Sequence, residues 1–206
     1  MKALRLAVVA ALIAVAAGCG GVGNLDGPGE EKRVVSKISM REAAERADAI
    51  MLDSISSVKP ELNWVHHAWS DGGCDGYTID GKPTGSVTRR AAVMTIVSEA
   101  RRGSLLGVVE RHWEKLGYEI TGHNTSRDVP SIYARTPDDY RMSILVGKKG
   151  QFFLTITTPC FIESEVQEPK TRASGTPFDG SVVPDPSVRS DFWSLDTPVA
   201  SPPTAP

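Results

Sequence analysis

The 206-residue chain has only three cysteines, Cys19, Cys74 and Cys160, and none of them forms a C-x-x-C pair. That spacing, with no histidine pair at ligand distance in sequence, argues against a zinc site. No apolar run approaches the ~20 residues needed to cross roughly 30 Å of hydrocarbon; the longest, Leu6 to Ala17, has twelve. A basic excess is also missing. Lys and Arg number 23 against 25 Asp and Glu, for a formal charge of −2. The short clusters Arg89-Arg90, Arg101-Arg102 and Lys148-Lys149 are scattered and read as solvated surface, so no nucleic-acid partner is expected. There is no G-x-S-x-G, Walker loop or dinucleotide fingerprint, and hence no cofactor to expect.

What is present begins at the N-terminus. Lys2 and Arg5 followed by the run Leu6 to Ala17 have the form of the charged and apolar regions of a secretory signal. Ala16-Ala17-Gly18-Cys19 resembles a lipobox, whose cleavage leaves the cysteine as an acylated N-terminus. Ala16 stands where that motif usually carries Leu, and Ala14-Val15-Ala16 offers a rival A-x-A site whose cleavage would release a free secreted protein. Removing residues 1–18 takes away Lys2 and Arg5 and moves the formal charge from −2 to −4. Two or three acyl chains, at about 0.8 kcal/mol per buried methylene, would hold the chain on the membrane.

With Cys19 assigned to lipid, Cys74 and Cys160 are the remaining pair, and export to an oxidising compartment predicts a disulfide between them. Closing a loop of that size contributes on the order of 4 kcal/mol by restricting the unfolded chain.

Composition divides the chain into a signal peptide at 1–18, a Gly-rich spacer at 19–36, one domain at 37–168 and a tail at 169–206. The tail holds eight of the fourteen prolines and is expected to be disordered. Its Phe178, Phe192 and Trp193 are either exposed or docked. Within the domain, Ser39-Met40-Arg41-Glu42 is a capping box, and apolar residues follow at helical spacing from Met40 to Val58 before Pro60. Leu62 to Trp69 reads as a strand, Ser70 to Gly85 as a Gly/Asp-rich loop carrying Cys74, and Val87 to Val97 as a second strand. A second helix, with Ser98 as its N-cap, runs from Glu99 to about Leu116 and is stopped by Gly117. Strands at Tyr118–Gly122, Ser131–Thr136, Tyr140–Val146 and Gln151–Thr158 complete the pattern, the last two joined through Gly147 to Gly150. These elements predict an α+β fold of two layers, a mainly antiparallel sheet with both helices on one face.

Candidate chemistry is sparse. Ser56-Ser57-Val58-Lys59 spells S-x-x-K without its companion motifs, because Lys170-Thr171-Arg172 is not K-T-G. Residues 71–82 carry acids at the first and fifth places and Gly at the sixth, as a calcium loop would, but the third is Gly73 and the twelfth Lys82. His66 and His67 fall on opposite faces of a strand, one of them toward solvent. His112 and His123 lack an acid at dyad spacing, and Asn124-Thr125-Ser126 is a sequon out of place beside a lipobox. No residue is therefore nominated as catalytic, cofactor-binding or metal-ligating. The nominated positions are Cys19 for lipidation and Cys74 with Cys160 for the disulfide.

Ala16 to Cys19, the segment Val87 to Thr95 running into Ser98 and Arg101-Arg102, and the pair Cys74 and Cys160 together resemble small actinobacterial lipoproteins of unknown function. That resemblance implies a location and no reaction. The expectation is a lipid-anchored protein on the extracytoplasmic face of the cell membrane, non-enzymatic, binding a protein or a lipid-like or cell-wall ligand through the sheet face that the helices leave uncovered. An envelope hydrolase assembled only in the fold, or an accessory subunit of an envelope complex, is the alternative.

Overall fold

A computed structural model describes residues 38–178 and 182–199. Cys19, the signal and the spacer at 19–36 lie outside the described residues. α1, Met40–Ser56, starts at Ser39, whose hydroxyl accepts from the Glu42 amide while the Glu42 carboxylate accepts from the Ser39 amide at 2.7 Å. These bonds hold the exposed Glu42 carboxyl below its usual range. Its buried stripe is Met40, Ala43, Ala44, Ala47, Ile50, Met51 and Ile55.

The long hairpin of β1, Trp64–Ile79, and β2, Lys82–Val93, follows. Its turn is Asp80-Gly81, both at positive φ (51° and 73°), which suits the right-handed twist of paired strands. The segment 70–85, expected as a loop, is thus mostly strand. Its Gly and Asp content marks two register irregularities, between His67 and Ser70 and between Gly73 and Thr78, rather than a break in pairing. Gly85 is needed where β2 passes β1 beneath the start of α1, because a Cβ there would lie 2.7 Å from the Gly72 backbone oxygen and 2.6 Å from Met40 Sδ. β2 also starts earlier and ends earlier than the expected 87–97.

α2, Glu99–Lys115, ends as expected at Gly117, which adopts φ 76°. The Tyr118 amide bonds to Trp113 O and the Gly117 amide to Glu114 O, satisfying two terminal carbonyls. Ser98 occupies the N-cap, yet its hydroxyl donates to Leu195 O in the tail. The remaining strands are β3, Glu119–Asn124; β4, Ser131–Arg135; β5, Arg141–Val146; β6, Phe152–Thr157; and a short β7, Phe161–Ile162.

The sheet runs β1-β2-β6-β5-β4-β3, with β7 also on β2, and every strand pair is antiparallel. Both helices pack on one face. Met51, Leu105, Val109 and Trp113 form one cluster with Val87, Ala91, Met142, Ile144, Leu154 and Ile156. The fold is α+β, as the periodicity predicts. Cys74 on β1 is bonded to Cys160, which follows β6, with Cα atoms 6.3 Å apart.

The tail is the principal correction. Residues 169–178 and 182–199, expected to be disordered, lie along the domain. Trp193 is 1% exposed and belongs to the main core, and its indole donates to Pro60 O at 2.8 Å. Phe192 packs edge-on against it and under the Arg101 guanidinium. The Gly175 amide bonds to Trp64 O, and the Ile96 amide to Val188 O. Proline-rich composition prevents this stretch from building a core of its own, but a single Trp that buries ~200 Å² offsets much ordering entropy when the domain supplies the other wall. The tail is an outer strap, and the folded unit does not stop at 168.

Candidate functional site

Three places gather polar chemistry. The first is inside the core. Asp48 lies in the buried stripe of α1 and Arg89 on the helix side of β2, so the two meet, Arg89 Nε to Asp48 Oδ1, at 3.1 Å with side chains 2% and 5% exposed. Arg89 Nη2 donates to Gln167 O, just before the strap, at 2.6 Å, and the guanidinium lies 4.7 Å over the Trp69 ring. Burial pushes the Asp48 carboxyl up, opposed by Arg89 and then His66; burial also pushes Arg89 down, though a guanidinium remains a cation. Arg89 was expected on a solvated surface; it is a core residue. A signal existed, since residues 87, 89, 91 and 93 share one strand face and the other three are Val, Ala and Val.

The second place is an open trough of about 770 Å³ between β1 and the strap, lined by His66 and Thr171 to Pro177. Thr171 Oγ1 lies 3.2 Å from His66 Nε2, with Asp48 close enough to be felt electrostatically, so the residue types of a nucleophile relay are neighbours. The relay is not assembled. His66 Nε2 meets Thr171 O at 2.7 Å, which requires an N–H there and leaves that nitrogen unable to act as a base toward the hydroxyl. His66 Nδ1 is buried and has no hydrogen-bond partner among the described residues, so no bond links ring and acid.

The third is the sheet face away from the helices. Cross-strand registers arrange it in rows. Val65, Ala92, Phe153, Leu145 and Ser131 form the first; His67, Arg90, Thr155, Ser143 and Tyr133 the second; Ser70, Thr88, Thr157, Arg141 and Arg135 the third. The strap covers the apolar row, where Phe178 and Val183 pack on Val65, Ala92 and Met94, and it leaves the other two rows open. Burial, and then Arg90, lowers the pKa of His67.

The other nominated motifs are dispersed. Ser56 ends α1 exposed, and Lys59 pairs with Glu61 at 2.9 Å. The calcium-like segment 71–82 is the β1–β2 hairpin. His66 and His67 do take opposite faces, but both are half-buried and neither simply faces solvent. His112 and His123 acquire acids that sequence spacing missed, Asp53 at 2.7 Å and Glu110 at 2.6 Å. Those partners come from other elements; the pairs tie α2 to α1 and to β3, and neither lines the trough. Among the described residues no group of three or more His, Cys, Asp or Glu is placed to hold a metal, and no helix is long and apolar enough to cross a membrane.

In the core, the enclosed cavity between α1, α2 and β5–β6 measures about 10 Å³ and has an apolar lining. That is at the limit for a single water and far below a ligand.

No family model matches the chain. No curated protein matches it either. Among solved structures it is similar to a DUF4853 family protein from Actinomyces odontolyticus, at 11% identity and a TM-score of 0.39, covering 63% of this chain and 72% of that one. A likeness of that size carries no argument about function.

Proposed function

We propose that the chain is a cell-envelope lipoprotein, acylated on Cys19 and held on the extracytoplasmic face of the membrane, whose domain is a non-enzymatic binding module. The observation that carries the binding half is the helix-free face: two open polar rows across five strands, beside a core whose enclosed cavity is about 10 Å³. A flat polar face of that breadth is suited to contact with an extended partner. The signal-like N-terminus and the Cys74–Cys160 bond support the address, since both suit an exported, oxidising location.

Intact mass measurement of protein extracted from host membranes tests the address. Acyl mass on an N-terminal Cys19 is expected, with Cys19→Ser shed into the medium; a mature chain beginning elsewhere overturns it. A photo-crosslinker at Tyr133 on the open face, compared with one at Arg111 on α2, tests the binding surface. Adducts with one identified partner from position 133 alone are expected, and adducts from 111 alone overturn the assignment.

A further inference from the structure

We propose that the helix-free face seats an anionic glycan polymer, one carrying carboxylate or phosphodiester groups along a hydroxylated chain; this rests on the binding-module reading and names its ligand class. Arg135 and Arg141 are directly opposite on β4 and β5, a like-charge pair in adjacent strands. Side chains so placed have Cβ atoms ~5 Å apart and repel. Arg135 is compensated by Glu119 at 2.7 Å and Asp139 at 3.6 Å. Arg141 is exposed and, among the described residues, has no carboxylate at ion-pair distance. Arg90 stands one row away, and among the described residues its guanidinium reaches neutral groups, Ala68 O and Ser70 Oγ. The open rows thus hold three guanidiniums, and among the described residues the ion-paired one is Arg135.

Between the cations lie the hydroxyl-bearing side chains of serines and threonines. Ser70, Thr88, Thr157, Thr155 and Ser143 occupy adjacent register positions, and the Thr88 and Thr157 hydroxyls are 3.1 Å apart. Five strands at ~4.8 Å spacing extend this strip over roughly 19 Å. Tyr133, 43% exposed, ends the second row as a ring on which a sugar face can stack. Guanidiniums recognise carboxylate and phosphate oxygens through paired N–H donors, and hydroxyls exchange hydrogen bonds with other hydroxyls. A bilayer surface fits less well because Tyr133 is the one large exposed apolar group in these rows. A protein hot spot fits less well because their centre lacks a desolvated apolar cluster.

The test uses the full-length chain in mild detergent, titrated with polygalacturonate at low and high salt. Neutral dextran and vesicles of phosphatidylcholine with one-quarter phosphatidylglycerol serve as comparators. Polygalacturonate binding that weakens about tenfold or more with salt is expected, with no binding to dextran. Arg141→Gln is expected to weaken it about tenfold, Arg90→Gln with Arg141→Gln to abolish it, and Arg111→Gln on α2 to leave it unchanged. Matching thermal melts establish that these exposed substitutions leave the fold intact. Equal binding by Arg141→Gln, equal binding of dextran, or vesicle binding without polymer binding overturns the inference. Crosslinks from position 133 to an identified protein, with no polymer binding, overturn the glycan assignment and leave the binding-module reading standing.

Discussion

The two faces of the sheet are made from the same strands and have opposite chemistry. On the helix side, residues 142, 144 and 146 of β5 and 152, 154 and 156 of β6 are buried against α1 and α2; on the other side, 141, 143, 145 and 153, 155, 157 are half-buried or exposed. The covered face does hold a charge pair, Arg89 and Asp48, but only with a guanidinium stacked on Trp69 and bonded to Gln167 O. The open face holds Arg135 and Arg141 exposed and Arg90 half-buried, without such enclosure. The difference teaches that polar groups here follow coverage, and that the strap, not the helices alone, sets where coverage ends.

The sharpest way to break that comparison is to remove the strap's anchor. Trp193→Ala is expected to cost about 3–5 kcal/mol in urea unfolding, because a buried indole leaves a cavity in the main core. A cost below about 0.5 kcal/mol would make the strap an ornament rather than part of the fold.

Asp48→Ala should destabilise by about 3–5 kcal/mol, since it strands the Arg89 cation in the core. The double substitution Asp48→Leu with Arg89→Met should recover most of that loss. If the double variant is as unstable as the single one, the pair is more than mutually compensating, and a ligand or partner role would have to be sought for it.

Tyr140 gives a test by pH. Its hydroxyl is buried with no hydrogen-bond partner among the described residues, and burial pushes its ionisation above the ordinary range. The folded chain therefore keeps this proton when the unfolded chain loses it near pH 10, so stability is full below that pH and falls as pH climbs beyond it. Tyr140→Phe is expected to match or exceed wild-type stability at pH 7, by up to about 1 kcal/mol, and to flatten the alkaline limb of the melting profile. An unchanged limb would show that other groups govern it.

On the open face, Thr155→Ala should change stability by less than about 0.5 kcal/mol, as surface positions do. A larger loss would mean that this row is covered after all.

Much of the architecture was legible because it is locally encoded. The Ser39 and Glu42 box, the stripe from Met40 to Ile55, and Gly117 in a left-handed conformation each act over a few residues, and the expected boundaries of α1 and α2 lie within about two residues of those observed. The disulfide followed from counting cysteines. The hairpin did not follow, although Asp80-Gly81 is a strong turn signal, because Gly72, Gly73 and Gly76 gave β1 the composition of a loop. Arg89 was misplaced because an Arg-Arg doublet suggests surface, whereas strand alternation sends neighbours to opposite faces and buries one of the two. The site fared worse than the fold, since its rows exist only once β6 has been placed between β2 and β5.

By itself, the sequence determined both helices, the strands β3 to β6 and the two-layer class, because caps, turns and periodicity are properties of neighbouring residues, and the count of cysteines pointed to the Cys74–Cys160 pair. The tertiary structure decided the strand order, the partner of Arg89, the docking of Trp193 on Pro60 across 133 residues, and which rows of the sheet stay open. Those outcomes depend on burial against surfaces that distant segments supply, and no local pattern encodes which of several apolar or charged partners will be the one to arrive.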